Sequence, residues 1–120
     1  MTFSSLLRVC ALSSLSFFLQ NVSAYVGSAT VSSTILIIAR DTTSATNGAA
    51  LGLQGYGIPY EILTVPQAGI ANLPLLNSTA TNGNYGGIVT ISEVGYNYNG
   101  LYYSALTDAQ WNQPVSYTHL

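Results

Sequence analysis

TILIIA, residues 34–39, is six residues long and has no polar position after its threonine. A strand with one wet face alternates apolar and polar side chains; a continuous β-branched and apolar run of this length fits a strand covered on both faces, as in a parallel sheet. Outward from it, Arg40 to Ser44 is polar, and ATNGAALGLQGYG (45–57) places Ala45, Ala49, Leu53 and Tyr56 at helical spacing. Gly48, Gly52 and Gly55 weaken that helix by about 1 kcal/mol each against alanine, so packing must hold it. They also let it approach a sheet closely. Gly57 suits the left-handed residue after the last turn, and Pro59 stops continuation. The next apolar run, Tyr60 to Val65, is a second strand ended by Pro66, and Gly87 to Glu93 is a third.

Strand, helix and strand in that order, with the crossover 41–58 between them, make a right-handed βαβ unit. The expected fold is therefore α/β, an incomplete flavodoxin/Rossmann-like three-layer unit with parallel strands at about 34–40, 60–65 and 87–93. Between the second and third strands, residues 66–86 offer only Leu73-Pro74-Leu75-Leu76 as an apolar cluster, and a short helical turn is expected there. After GYNYNGLYYSAL (95–106), Thr107 and Gln110 have capping-box spacing, so a helix begins near Thr107. Such a unit leaves a long sheet edge unpaired and one face largely uncovered; residues 25–114 alone are expected not to fold stably.

The ends of the chain read differently. Residues 1–24 carry one positive charge at Arg8, an apolar run through Leu12, Leu15, Phe17, Phe18 and Leu19, and a small-x-small ending at Val22-Ser23-Ala24. That pattern is a signal peptide, and the apolar stretch is too short and too serine-broken for a membrane span. Residues 25–33 read as a flexible lead-in, and 34–114 as a partial α/β domain. Cleavage would remove Cys10 and Arg8, leaving no cysteine, no lysine, and Arg40 against Asp41, Glu61, Glu93 and Asp108. Nucleic acid and anionic membranes, which need clustered basic residues, are excluded as partners of the mature chain. Residues 115–120, VSYTHL, equal one reading frame of a transposase sequencing adapter, GTC TCT TAT ACA CAT CT, and Pro114 fits the codon ending it would impose. The tail, with its single histidine His119, is therefore expected to be a translation artefact.

Without that histidine the mature chain has no histidine, cysteine or lysine, so no catalytic residue, metal ligand set or cofactor-binding residue is assigned. No G-x-S-x-G elbow and no G-x-G-x-x-G turn is present. Asp41 and Glu93, at the carboxyl ends of parallel strands, are the candidate ligand edge, because open α/β sheets bind ligands there. Their plainer reading is a helix cap for Asp41, which could also pair with Arg40, and a solvated strand end for Glu93. Tyr96, Tyr98, Tyr102 and Tyr103, with Trp111 beyond, are the candidate carbohydrate-stacking residues, since an aromatic face with a polar tip matches the mixed surface of a sugar. The plainer reading is a Tyr/Asn/Gly turn packed over the sheet edge. Asn77-Ser78-Thr79 is an N-glycosylation sequon in a polar stretch.

ILIIARD, LQGYGIPYEILTVPQAG, LNSTATNGNYGGIVTISEV and SALTDAQW together resemble the N-terminal region of fungal extracellular serine-rich proteins related to a secreted galactosaminogalactan deacetylase. The resemblance runs from about Thr30 to Gln113, and Tyr56 to Gly69 is its most specific part. It implies a large secreted parent that joins a carbohydrate-binding module to a deacetylase domain dependent on a divalent metal. The Asp and His metal set and acid/base pair of such a domain match nothing here. The implied role is a non-catalytic part that positions the enzyme or binds polysaccharide, with the remainder of the parent polypeptide as partner. The alternative is a free-standing secreted flavodoxin-like binding or structural protein without enzymatic activity.

Overall fold

The computed structural model describes residues 28–117; the signal-peptide segment 1–24, Cys10 and His119 lie outside them. The described chain is mixed α/β. In order it runs β1 (Thr30–Val31), β2 (Ile35–Ala39), a composite helix α1 (42–55), β3 (Tyr60–Thr64), β4 (Asn77–Thr79), β5 (Asn82–Gly83), β6 (Gly87–Thr90), a turn at Ser92–Val94, β7 (Gly95–Tyr98), β8 (Leu101–Ser104) and α2 (Asp108–Tyr117).

The run that opened the reading is the middle of the main sheet, whose order is β3-β2-β6. Both neighbours are parallel to β2: Ile35 to Ala39 register with Tyr60 to Thr64, and Ile35 to Ile38 with Gly87 to Thr90. Side chains of a strand alternate between faces, and the two cores follow that alternation. Ile37 and Ala39 pack with Ala45 and Ala50 of α1, whereas Leu36 and Ile38 pack with Val65, Leu73, Leu76, Tyr85, Val94 and Leu106. Leu36, Ile37, Ile38 and Ala39 are each 1% exposed or less.

That burial corrects the expectation of an uncovered face. The crossover 66–86 contains no helix; it runs irregularly, with the short β4–β5 pair within it, and lays Leu73, Leu76 and Tyr85 across the sheet. It is pinned by a tight turn in which the Gly69 N–H donates to the Pro66 carbonyl at 2.8 Å, and by Gln110 of α2, whose amide donates to the Ile70 carbonyl at 2.8 Å. Thr30–Val31 is no flexible lead-in either, since β1 pairs in parallel with β5, which pairs antiparallel with β4.

Helix α1 opens on Asp41 and ends as its sequence demands. Gly57 has φ +69°, and its N–H reaches the Gln54 carbonyl at 3.1 Å while the Ile58 N–H reaches Leu53 at 2.9 Å, the two bonds of a Schellman motif. Between its α-helical pieces Thr42–Ala45 and Leu51–Gly55, the segment Thr46–Ala50 winds as a π-helix. The wider turn sets the buried pair at Ala45 and Ala50, five residues apart, and rotates the face predicted from an unbroken α-helix. Tyr56, expected on that face, is 87% exposed. Of the three helical glycines only Gly48 serves close approach: a Cβ there would lie 2.8 Å from Ile91 Cδ1, whereas Gly52 and Gly55 face open space. Helix α2 has the predicted capping box, with the Thr107 N–H donating to Gln110 Oε1 (2.9 Å) and the Gln110 N–H to Thr107 Oγ1 (3.3 Å). The helix runs on through Val115, Ser116 and Tyr117 of the adapter-like tail, and the Tyr117 hydroxyl takes the Tyr85 N–H at 3.0 Å.

Glycine substitutions separate packing from backbone entropy. Gly86→Ala would set a Cβ 2.6 Å from the Ser32 carbonyl oxygen, which is backbone and cannot rotate away; it is expected to destabilise the chain by about 1–3 kcal/mol. Gly52→Ala, on an exposed helical position, is expected to stabilise it by about 0.5–1 kcal/mol. Urea denaturation of the two variants in the full secreted protein, beside the unsubstituted protein, checks both signs.

Candidate carbohydrate-binding face

The third strand stops at Thr90, three residues before its predicted end, because the backbone turns left-handed. Ser92, Glu93 and Val94 have φ of 52°, 53° and 50°. A β-branched residue in that region is strained by about 1–2 kcal/mol. The surroundings hold it there: Val94 is fully buried, its N–H donates to the Ile91 carbonyl (3.1 Å), and its carbonyl accepts from the Ala105 N–H (3.1 Å). The Ser104 hydroxyl closes the turn by donating to the Glu93 carbonyl at 2.9 Å.

The turn sends the chain into the β7–β8 hairpin, in which Gly95, Tyr96, Asn97 and Tyr98 face Ser104, Tyr103, Tyr102 and Leu101. Asn99 and Gly100 between the strands have φ of 51° and 83°, which suits a two-residue turn of the I′ kind. Directly opposed residues share a face. Tyr96, Tyr98, Leu101 and Tyr103 therefore lie on one side, and Asn97, Tyr102 and Ser104 on the other.

Tyr96 joins that face to the body of the protein. Its hydroxyl donates to the Val65 carbonyl at 2.7 Å, with the Arg40 carbonyl also in reach at 3.2 Å, and its ring packs on the Leu36/Ile38 core. Val65 and Arg40 stand just past the carboxyl ends of β3 and β2, so this tyrosine seats the hairpin at the end of the sheet where open α/β folds place ligands. Beyond it, Tyr96, Tyr98 and Tyr103 line a shallow cleft of about 250 Å³ with Gln67, Ser104 and Ala105. Tyr98, Leu101 and Tyr103 are 63%, 60% and 57% exposed, an unusual share of large apolar surface on one short hairpin.

The other predicted residues are placed apart from this cleft. Tyr102, on the reverse side, is 73% exposed, with one ring edge 3.3 Å from where a Cβ on Gly95 would stand; it is set apart by its side of the hairpin and not by burial. Trp111 is half-buried against the core, and its indole N–H donates to Ser104 Oγ at 3.0 Å. Asp41 is the N-cap of α1: its carboxylate accepts the Ser44 N–H at 2.6 Å and lies 3.3 Å from Arg40 Nε. The Ser44 backbone and hydroxyl, and then Arg40, hold its pKa below the ordinary carboxylate value. Glu93 borders a separate notch with Thr90, Ser104 and Trp111. Among the described residues no three His, Cys, Asp or Glu side chains converge. The sequence reading missed Gln67 and Leu101. Asn99-Gly100 between alternating YNY and LYY was the signal for the hairpin that exposes Leu101.

The family model described as Agd3 CBM87 matches residues 31–119. The chain belongs to the Agd3 CBM87 family. A solved structure titled "Crystal structure of Agd3 a novel carbohydrate deacetylase" is 52% identical over 77% of this chain, with a TM-score of 0.70. The chain spans 14% of the length of that solved chain. No curated protein matches it. The Agd3 CBM87 match extends into the adapter-like residues at the end of α2.

Two substitutions test how the site is held. Tyr96→Phe leaves the buried Val65 carbonyl without the hydroxyl partner and is expected to cost about 1–2 kcal/mol, read by thermal unfolding. For Asp41 the folded pKa is depressed, so its contribution is present above the unfolded value near 3.9 and is lost as pH falls through the folded one. Asp41→Asn, which keeps a capping oxygen, is expected to flatten the acid limb of the stability profile below about pH 4 while changing little at pH 7.

Proposed function

We propose that this chain is a carbohydrate-binding, non-catalytic part of a secreted polysaccharide deacetylase-like protein, and that the Tyr98/Tyr103 face of the hairpin is where polymer binds. The observation that carries the reading is the pair of exposed tyrosines, with Leu101 beside them, on a hairpin fixed to the sheet end by Tyr96. A sugar ring presents C–H groups on its faces and hydroxyls around its rim. Flat exposed rings receive the first, and the Gln67 amide and phenolic hydroxyls at the cleft receive the second. Membership of the Agd3 CBM87 family supports the same assignment. The weakly charged surface, with 5% charged residues over the chain, suits a neutral or sparsely charged glycan.

In this reading residues 1–24 direct export and the parent is extracellular or bound to the cell wall, in keeping with a fungal origin. The deacetylation of an amino-sugar exopolysaccharide or wall polymer belongs to the remainder of the parent polypeptide, where a divalent metal would be held by residues not present here. Asn77 carries an N-glycan. It is half-buried in β4, with Ser78 and Thr79 exposed beside it, and a glycan-sized mass lost on treatment with an amidase and absent in Asn77→Gln would be the sign of it.

Binding is tested by affinity electrophoresis or calorimetry of the secreted protein with partially acetylated amino-sugar polymers. Tyr98→Ala and Tyr103→Ala are each expected to weaken binding about five- to tenfold, equivalent to about 1–1.4 kcal/mol. Tyr102→Ala, on the reverse side of the hairpin, is expected to leave affinity within about twofold. Equal losses at all three positions, or no binding by the parent chain, would overturn the assignment of the face.

A further inference from the structure

Strand β6 is an edge of the main sheet: β2 pairs with one side of it, and among the described residues no strand pairs with the other. Beside that open side lies an apolar groove of about 480 Å³, bounded by Gly87, Ile88 and Thr90 of β6, Val31 of β1, and Trp111 and Pro114 of α2. Val31 is 52% exposed. A bare strand edge next to exposed apolar surface is a pairing site that proteins ordinarily cover.

The connections say what covers it. From β2 the chain crosses by α1 to β3 on the Ile37/Ala39 face; from β3 it returns across the Leu36/Ile38 face to β6. Two right-handed crossovers in opposite directions must lie on opposite faces, so this arrangement is the expected one. Helix α2 then packs through Trp111 on the Leu36/Ile38 face, the face of the second crossover. A right-handed connection that leaves β6 and uses a helix on that face continues in the same direction. It arrives at the open edge of β6.

We infer that the groove is a strand slot, filled by an apolar parallel strand of the same polypeptide that follows α2, so that β6 is an interior strand of the assembled protein. The solved Agd3 chain, of which this chain spans 14%, has ample length to supply such a segment. Val31, Ile88 and Trp111 line the slot and precede the adapter-like residues 115–120, of which Val115 and Tyr117 also border it. A strand fits better than a small ligand: the groove is walled by apolar side chains, and its polar side is a row of backbone groups in strand spacing, which another backbone satisfies.

In a parallel pair alternate residues direct their N–H groups to opposite sides. Residue-resolved hydrogen exchange on the protein expressed from its native gene at full secreted length therefore reads the slot directly. The expected result is slow exchange at every amide from Gly87 to Thr90, within about tenfold of those in β2. Alternating protection, with the outward amides on the order of 100-fold faster than their neighbours, would overturn the inference. So would a native gene product with no segment after α2. As a second reading, Val31→Asp, at an exposed position on the slot wall, is expected to speed the outward amides of β6 while leaving those of α1 and β3 unchanged. Unchanged exchange at β6 in that variant would count against a strand in contact with Val31.

Discussion

A strand with no exposed side imposes its terms on the rest of the chain. Burying Leu36, Ile37 and Ile38 is worth about 1.5–3 kcal/mol each, and it requires two covers and two hydrogen-bonding neighbours. The covers are unlike. On one face α1 approaches closely, with Gly48 against Ile91 and Ala45 and Ala50 as its contacts. On the other an irregular crossover is threaded over the sheet and fastened near its start by the buried amide of Gln110. The neighbours are β3 and β6, and the strand ends they share with β2 become the platform on which the hairpin stands.

The position of the tyrosines follows from that platform. Three left-handed residues at 92–94 redirect the chain, and the cost of the turn is offset by the burial of Val94 and the bonds made by Ala105 and Ser104. Tyr96 then occupies the sheet-end position with its own hydroxyl and leaves Tyr98 and Tyr103 outward. A sheet-end site of the kind usual in α/β proteins is here taken by a side chain of the same protein. In the proposed reading binding falls on the surface of the hairpin instead, where an extended polymer would pass without entering a pocket.

Much of this was legible in the residues. TILIIA, YEILTV and GIVTIS announce parallel strands by their apolar continuity, Gly57 announces the end of α1, and Thr107 with Gln110 announces the start of α2. What was not legible shares one cause, the absence of a local signature. Leu73 and Leu76 sit in a stretch with neither helical nor strand period, so nothing local marks it as a sheet cover. The left-handed turn is made of Ser, Glu and Val, of which valine is among the least suited to that backbone, and only its burial holds it there. The π-helical winding of Thr46–Ala50 moved Ala50 inward and Tyr56 outward against an α-helical expectation. Of the candidate site, the tyrosines are recognisable in the sequence as a group, but their division into an anchor, a cleft-side face and a reverse side depends on strand register. Asp41 acts as the cap that its plainer reading described.

In the proposed reading carbohydrate lies on the Tyr98/Tyr103 face and leaves the sheet end to Tyr96. It is tested most directly by NMR of the protein with labelled tyrosines during titration with an amino-sugar oligosaccharide. Ring signals of Tyr98 and Tyr103 are expected to shift with saturation while those of Tyr96 and Tyr102 stay in place. Shifts centred on Tyr96 and the backbone of Arg40 and Asp41, with Tyr98 and Tyr103 unmoved, would contradict it.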